Sequence, residues 1–167
     1  VVSSRSNLIT PLLSSIRMSN NEHKNWVRRK LLSQFPDLNG IRIAIWGLTY
    51  KPGTDTLRRS LAIELCEWLV EQGAVLTTFD PVVQVLPLRW AGVISQEKAA
   101  LDAVINADVL VIGTEWPELC SAADQLAVFA KKNMVVIDPN RHLYTQLGSI
   151  GLRYFAVGTP WHGRVGL

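Results

Sequence analysis

A glycine-bounded segment from Gly47 to Ser60, GLTYKPGTDTLRRS, carries the side chains of this sequence that are best suited to binding chemistry. It directly follows an apolar run at residues 41–46, so its main-chain N–H groups lie where a buried strand gives way to a helix. Lys51 supplies a mobile point charge with three donors, and Arg58 follows it in the same segment. Cations and free N–H groups at the carboxyl end of a strand suit phosphorylated ligands. The segment is therefore the first candidate for a binding site.

The lysine of this segment admits two interpretations. Lys51 can bind a pyrophosphate or a hydroxyl-bearing sugar while main-chain groups of the loop hold a base or ribose. It can also be a solvated loop lysine, which is the ordinary place for this residue type. Thr54 and Asp55 have a local reason to be present, because they can cap the turn that leads into Arg58 and Ser60. Composition alone favours the second interpretation, a solvated loop lysine.

The same segment departs from the dinucleotide-binding fingerprint. That fingerprint is G-x-G-x-x-G, whose close glycine pair lets the backbone approach a pyrophosphate. Here the turn is longer, and its glycines are Gly47 and Gly53. Asp80 ends the second apolar run, where NAD folds place a carboxylate for the ribose, but an acid before Pro81 can equally cap a turn. We therefore expect no ordinary NAD site in this segment.

Apolar runs alternate with segments of helical periodicity along most of the chain. The runs are rich in Val, Ile and Leu, which indicates strands of a parallel sheet that is covered on both faces. Strands are predicted at residues 41–46, 75–79, 93–94, 109–112, 134–137 and 153–156. Helices are predicted at residues 60–72, 96–106, 121–131 and 143–147. The fold class is α/β, a Rossmann-like doubly wound parallel sheet with the predicted strand order 3-2-1-4-5-6.

A long N-terminal helix is predicted before the first strand. Thr10 can cap it, Pro11 suits its first turn, and Pro36 ends it after Phe35. Between these residues an amphipathic pattern recurs at steps of three and four. Because the helix has no strand partner of its own, we expect it to pack across the domain or against another subunit.

Composition and charge indicate a soluble globular protein. The chain has 167 residues, of which 48% are hydrophobic and 19% are charged, enough for one core. No apolar stretch could span a bilayer, so no membrane partner is expected. The net charge is only +3, and the basic cluster at residues 28–30 has no interleaved aromatic residues. This pattern favours a solvated helix face over a nucleic-acid surface.

The two cysteines, Cys66 and Cys120, have a spacing that matches neither a zinc knuckle nor a redox pair. Each lies among apolar neighbours, so we interpret both as small buried hydrophobic residues rather than nucleophiles. No metal site is expected. This cysteine usage predicts a reducing, cytoplasmic compartment.

Residues 47–63 resemble the signature G-L-[AS]-[FY]-K-x-x-T-[DG]-D-x-R-E-S-x-A-[LI] of the UDP-glucose/GDP-mannose dehydrogenase family. The resemblance continues in register from about residue 38 to residue 160. The further motifs are FDP at residues 79–81, NAD at 106–108, GTEW at 113–116 and VIDPNR at 136–141. Several ordered motifs at compatible spacings are more specific than any one of them. The chain thus resembles the C-terminal nucleotide-sugar-binding domain of that family.

The resemblance implies two regions and an enzymatic context. Residues 1–37 are similar to the end of the family's central helical domain, which builds a homodimer interface, and residues 38–167 to its UDP-sugar-binding Rossmann-like domain. Family members use NAD to oxidise the sugar C6 alcohol to a carboxylate through intermediates on a cysteine. That cysteine motif and the main NAD-binding domain lie upstream in the family and do not occur here, and the chain starts at Val1 without a methionine. We therefore expect part of an NAD-dependent nucleotide-sugar 6-dehydrogenase, without catalytic residues of its own and inactive alone.

Carried over by position, the resemblance also implies ligand contacts. Tyr50 and Lys51 would contact the nucleotide sugar, Arg141 would approach its sugar or phosphate, and Arg58 would reach NAD held mainly by the upstream domain. Arg141 can alternatively be a surface arginine near a helix start. Arg59 stands where the family has glutamate, so Arg58 loses a neighbouring anion and gains repulsion.

Two other functions stay open from the residues alone. The chain can be a non-catalytic nucleotide-sugar-binding or assembly module, since the cysteine motif is missing and the first helix presents an apolar stripe. It can also be an NAD-binding domain in its own right, although the turn after the first strand disfavours this.

Overall fold

The computed structural model describes residues 15, 22, 24–148 and 150–158, which form a six-stranded parallel sheet with helices on both faces. The strands are β1 (Arg42–Trp46), β2 (Val75–Phe79), β3 (Ile94–Gln96), β4 (Val109–Ile112), β5 (Val135–Ile137) and β6 (Arg153–Phe155). The helices are α1 (Trp26–Gln34), α2 (Leu61–Glu71), α3 (Ala100–Ala103), α4 (Glu118–Phe129) and α5 (Tyr144–Leu147), with a 3-10 turn at Leu88–Trp90. The sheet order is β3-β2-β1-β4-β5-β6, and every neighbouring pair is parallel. The predicted fold class and strand order are confirmed.

The two faces of the sheet bury alternate side chains of the same strands. In β1, Ile43 and Ile45 join the core cluster formed with α1 and α2. Ala44 and Trp46 join the cluster on the other face, formed with α3, α4 and α5. Because both faces are covered, a central strand needs apolar residues at every position. This requirement explains why the central strands could be recognised in the sequence.

The helix predicted over residues 11–35 is described as α1, with residues 15, 22 and 24 also helical. Residues 11–14, 16–21 and 23 of its predicted length lie outside the described part of the chain, while Asn25 and Phe35 are the non-helical caps of α1. In α1, Leu31 is fully buried in the core, and the Arg28 guanidinium stacks over Trp68 at 5.3 Å from the ring centroid. The described part of this helix therefore packs on the domain. A subunit interface through it stays a prediction.

The third strand and the helix after it differ from their predicted bounds. β3 extends to Gln96, whose main chain pairs with Thr78, so the helix predicted at residues 96–106 is reduced to α3. β3 is an edge strand that includes the polar residues Ser95 and Gln96. It therefore lacks the continuous apolar signal of the central strands.

The helix predicted at residues 121–131 begins earlier, at Glu118, because Pro117 occupies the helical region before its first residue. Proline is preorganised for the first turn of a helix, so Pro117 marks this start. All other strands, together with α2 and α5, begin and end within one residue of their predicted bounds. No helix within the described ranges combines the length and apolar character that a membrane crossing requires.

Asp108, directly before β4, connects the amino end of β1 and the segment before β5 through hydrogen bonds. Its carboxylate accepts hydrogen bonds from the main-chain N–H of Arg42 at 3.0 Å and from the Lys131 ammonium at 2.6 Å. Burial acts to raise the pKa of Asp108, but the bonds from Lys131 and Arg42 outweigh it and hold the pKa below its usual range. A depressed folded-state pKa stabilises the fold above the unfolded value of about 4. This stabilisation is lost as pH falls through the lower folded-state value.

We expect Asp108→Asn to lower the free energy of unfolding at neutral pH by less than about 1 kcal/mol, because the ion pair is partly exposed. The difference in free energy of unfolding between the variant and the wild type should shrink below about pH 4. It should vanish once Asp108 of the wild type is protonated in both the folded and the unfolded state. Urea titrations at several pH values measure it, with Asp124→Asn on the exposed face of α4 as the control. A deficit that keeps its full size in acid would contradict this assignment.

Candidate functional site

The loop after β1, residues 47–60, meets the loop after β4, residues 113–117, between the two central strands. Gly47 has a φ of 87°, and a Cβ there would lie 2.6 Å from atoms of Thr114. A Cβ on Gly113 would in turn collide with the carbonyl oxygen of Gly47. The two glycines therefore let these loops approach backbone to backbone. This is the topological switch point, where the connections leave β1 and β4 in opposite directions and open α/β sheets bind ligands.

Asp80 fixes the loop after β1 through hydrogen bonds from its main chain. Its side chain is buried, and one oxygen, Oδ2, accepts hydrogen bonds from the N–H groups of Leu48 at 2.6 Å and Thr49 at 3.2 Å. The other oxygen accepts from the N–H groups of Val82 at 3.0 Å and Val83 at 3.1 Å. Four main-chain donors thus share one carboxylate, which joins the carboxyl ends of β1 and β2. Of the two interpretations left open by the sequence, the structure supports the turn cap.

Trp116 connects this loop to the rest of the edge. Its indole Nε1 donates to Thr49 Oγ1 at 3.1 Å and to Asp80 Oδ2 at 3.2 Å. Its carbonyl oxygen accepts from His142 Nε2 at 2.9 Å, which requires the ring proton on that nitrogen. In the same loop, Thr114 Oγ1 donates to the Thr49 carbonyl at 2.6 Å. The loops after β1, β2, β4 and β5 therefore form one hydrogen-bonded network.

Asp138 organises the loop after β5 in the same way. It is fully buried and accepts from the N–H groups of His142 at 3.0 Å and Leu143 at 2.8 Å, and from Tyr154 Oη at 2.6 Å. Burial, and then the bond to Asp138, raise the pKa of the Tyr154 phenol, so Tyr154 stays a donor. Arg141 lies in this turn with a φ of 62°, in the left-handed region that non-glycine residues seldom adopt. The turn is thus held by hydrogen bonds that Asp138 accepts from the two residues after Arg141 and from Tyr154.

The four predicted ligand contacts, Tyr50, Lys51, Arg58 and Arg141, are all exposed along the carboxyl edge of the sheet. Tyr50 is 59% exposed, and its N–H donates to the Thr56 carbonyl at 2.8 Å, which closes the loop around Lys51. None of the three cations forms an ion pair with a carboxylate in the part of the chain that the structure describes. The three cations of the edge are therefore not held in ion pairs within the described residues.

The structure brings the loops of Lys51 and Arg141 to one edge through buried atoms rather than through contacts between the cations. The link runs from Thr49 through Trp116 to His142, and each end lies within two residues of a predicted contact. The sequence places Trp116 in the GTEW motif at the end of the fourth strand, where it is expected to shape the rim rather than react, and sequence reasoning missed His142. The available sequence signal was a tryptophan soon after a central strand, because an indole N–H buried at such a place needs a hydrogen-bond acceptor.

The helix after the loop is capped by Ser60, whose Oγ accepts from the N–H groups of Ala62 and Ile63. Thr54 makes a smaller local turn, in which its Oγ1 accepts from the N–H of Thr56 at 3.2 Å. The expectation of a capped turn is thus confirmed for Thr54 but not for Asp55, whose side chain makes no hydrogen bond within the described residues, and the helix cap itself belongs to Ser60. Arg58 and Arg59 stand directly before this cap, and Arg59 has a φ of 62°.

Two clefts flank the edge. The first, of about 240 Å³, lies between α1, the first turns of α2, the end of β4 and the loop after β5, and includes Lys24, Arg28 and Gly113. The second, of about 470 Å³, lies at the carboxyl ends of β2 and β3 and includes Asp80. The four predicted contacts line neither cleft. They lie instead on the exposed surface of the carboxyl edge.

Neither cysteine has the surroundings of a nucleophile. Cys66 is fully buried on α2, and burial, followed by the negative charge of Glu67, raises the pKa of its thiol to about 12. Cys120 is half-buried against the core cluster of α4. Within the described ranges, no group of three or more His, Cys, Asp or Glu residues could hold a metal ion.

Comparisons with known proteins agree with this geometry. Residues 44–145, more than half of the chain, match the model of the UDP-glucose/GDP-mannose dehydrogenase family, UDP binding domain. The chain is 32% identical over 154 residues to the UDP-glucose 6-dehydrogenase of Rickettsia bellii, covering 89% of this chain and 35% of that protein. It is 37% identical over 111 residues to the UDP-glucose 6-dehydrogenase AglM of Haloferax volcanii, covering 66% of this chain and 25% of that protein.

Solved structures show the same fold. The NDP-N-acetyl-D-galactosaminuronic acid dehydrogenase from Methanosarcina mazei superposes with a TM-score of 0.67 at 20% identity, over 83% of this chain and 29% of that chain. The chain spans between a quarter and about a third of the length of the two curated relatives. The match of the family model and the motifs on the carboxyl edge lead to one assignment. The chain belongs to the UDP-glucose/GDP-mannose dehydrogenase family and corresponds to its UDP binding domain.

Proposed function

We propose that this chain binds the nucleotide sugar of an NAD-dependent nucleotide-sugar 6-dehydrogenase, which oxidises UDP-glucose or a related sugar to the uronate. The observation that carries the proposal is Lys51, which forms no ion pair within the described residues and lies on a loop whose main chain is held by buried hydrogen bonds. Asp80, Trp116 and Thr114 together engage Leu48 and Thr49, the residues that lead into Tyr50 and Lys51. A cation on a preorganised loop binds an anion without the cost of ordering the loop.

Each exposed residue of the edge has a distinct part in this proposal. Lys51 presents an ammonium to the diphosphate or to a sugar hydroxyl, and the main-chain groups around Tyr50 hold the base or ribose. Arg141 approaches the sugar or phosphate from the loop after β5, where its planar donors can bind two oxygens at once. The two cations thus bind the ligand from the loops on either side of the loop after β4.

This chain supplies no more than one contact, Arg58, to an NAD site. The carboxylate that would receive the ribose, Asp80, is already shared by four main-chain donors, and Gly47 and Gly53 are too far apart for the dinucleotide turn. Both features also weigh against an NAD-binding domain in its own right. We propose that NAD is bound mainly by another part of the protein and that Arg58 reaches it from this chain. The thiol of the buried, protonated Cys66 takes no part in the reaction.

We further propose the context of the whole protein. Residues 1–37 belong to the end of a central helical region that forms a homodimer, and residues 38–167 form the nucleotide-sugar domain. We place the protein in the cytoplasm, because Cys66 and Cys120 are not joined in a disulfide. Light scattering of the chain tests the dimer, and a monomer at every concentration would contradict it.

Calorimetric titration with UDP, UDP-glucose, UDP-glucuronate and GDP-mannose tests the proposed binding. We expect at least one of these ligands to bind, and Lys51→Ala to weaken its affinity about tenfold, the usual effect of losing one charge-assisted hydrogen bond. The melting temperature should not change, because Lys51 is exposed and unpaired.

Lys132→Ala is the matched control, since Lys132 is an exposed lysine at the opposite, amino edge of the sheet. It should leave the affinity unchanged. Equal losses in both variants would indicate a general effect of charge rather than a site. Absence of heat with all four ligands would count against the proposed function itself.

A further inference from the structure

We propose that Tyr144 is a positioning residue that holds the Arg141 guanidinium in place for the ligand. The inference rests on the proposed function and goes beyond it, because Tyr144 belongs to none of the motifs that suggested the site. It stands on the contacts of the loop after β5 and the first turn of α5. Tyr144 acts through Arg141 and is not itself a ligand contact in this proposal.

The backbone of Arg141 is fixed before its side chain is considered. Its N–H donates to the Asp138 carbonyl at 3.2 Å, and the next two N–H groups donate to the Asp138 carboxylate. The left-handed conformation of Arg141 is maintained by these bonds, since a non-glycine residue does not favour it alone. Strained residues held by surrounding structure are concentrated at ligand sites. The turn therefore sets the direction in which the arginine leaves the backbone.

The side chain of Arg141 is fixed by an aromatic pair. Its Cζ lies 4.8 Å from the centroid of the Tyr144 ring, within the range of a cation–π contact. The Tyr144 ring meets the Tyr154 ring edge to face, with centroids 5.8 Å apart and planes at 62°. The Tyr154 hydroxyl donates to Asp138, the same carboxylate that holds the turn. One buried acid thus supports both the backbone and the guanidinium of Arg141.

This arrangement leaves the donors of Arg141 available. A guanidinium that stacks on a ring uses its π-face, while its N–H groups point outward in the plane. Arg141 forms no ion pair with any acid described in the structure, and it is exposed. Stacking also reduces the number of rotamers that the long side chain can adopt before binding. Tyr144 therefore orders Arg141 without occupying the groups that would bind phosphate.

A double-mutant cycle on UDP affinity, measured by calorimetry, tests this role. We expect Arg141→Ala to weaken binding about tenfold and Tyr144→Leu about fivefold, within the range of a cation–π contact. Tyr144→Phe keeps the ring and should stay within about twofold of the wild type. In the Arg141→Ala background, Tyr144→Leu should have no further effect, because the group it positions is gone. Phe129→Leu, another exposed aromatic residue at the far end of α4, is the control.

The outcomes separate this inference from the proposed function. Equal weakening by Tyr144→Leu with and without Arg141 would overturn the positioning role and mark Tyr144 as generally structural. So would full affinity in Tyr144→Leu, or an Arg141→Ala variant that binds UDP as the wild type does while Lys51→Ala does not. If the wild-type chain binds none of the nucleotides, the proposed function fails, and this inference fails with it. Thermal melts of each variant establish that a lost affinity is not lost folding.

Discussion

Gly47→Ala is expected to lower the free energy of unfolding by roughly 3 kcal/mol or more. Two costs add. The φ of 87° is unfavourable for alanine, and the new Cβ would lie 2.6 to 2.7 Å from three Thr114 atoms, two of them in the backbone. Because Thr114 follows a central strand, it cannot move away without disturbing the sheet. Chemical denaturation of the purified variant measures the loss.

Gly53→Ala separates the two costs. Gly53 lies in the same loop with a φ of 77°, but nothing lies within 4 Å of a Cβ built there. Its substitution should therefore cost only the backbone strain, about 1 kcal/mol. Similar losses in the two variants would show that the loops after β1 and β4 are not packed backbone to backbone. The topological switch point between β1 and β4 would then have a different form.

Asp80→Ala should produce a comparable loss, about 3 kcal/mol, and should also weaken nucleotide binding. The variant leaves four main-chain N–H groups and one indole N–H without their shared acceptor, and unsatisfied buried donors are costly. Without this anchor, the loop that carries Lys51 would lose its fixed conformation. Urea denaturation and UDP calorimetry on the same preparation measure both effects.

The control for Asp80 is Asp55→Ala, which removes an exposed acid from the same loop. It should change the free energy of unfolding by no more than about 0.5 kcal/mol. A stable Asp80→Ala variant that fails to bind nucleotide would contradict the structural role. Asp80 would then be a direct ligand contact, the alternative that the sequence left open.

The sheet was predictable because its central strands are buried on both faces. Runs such as residues 43–46 and 109–112 have no room for polar side chains, so they were visible in the sequence. The edge strand β3 gave no such signal. It pairs with β2 alone, and this position tolerates the polar residues Ser95 and Gln96. Its main-chain pairing with β2 is a long-range contact that local periodicity cannot reveal.

The candidate site was predictable in part, and the limit has a physical reason. Lys51 and Arg58 could be singled out because glycines and cations follow a strand, and the family motif added Tyr50 and Arg141. The roles of Trp116, His142 and Tyr144 depend on contacts between loops distant in sequence. Their residue types are common in cores, so neither type nor spacing distinguished them. Only the fold brings these three residues into contact with the loops that carry the exposed residues.

Amide chemical shifts of the nitrogen-labelled chain, followed during a titration with UDP, test the central claim most directly. If the carboxyl edge binds the nucleotide, the changes should concentrate in residues 47–60, 113–117 and 138–143. Amides at the amino edge, such as residues 107–109 and 131–135, should stay constant. Saturable changes elsewhere with residues 47–60 unaffected, or no changes at all, would contradict the account.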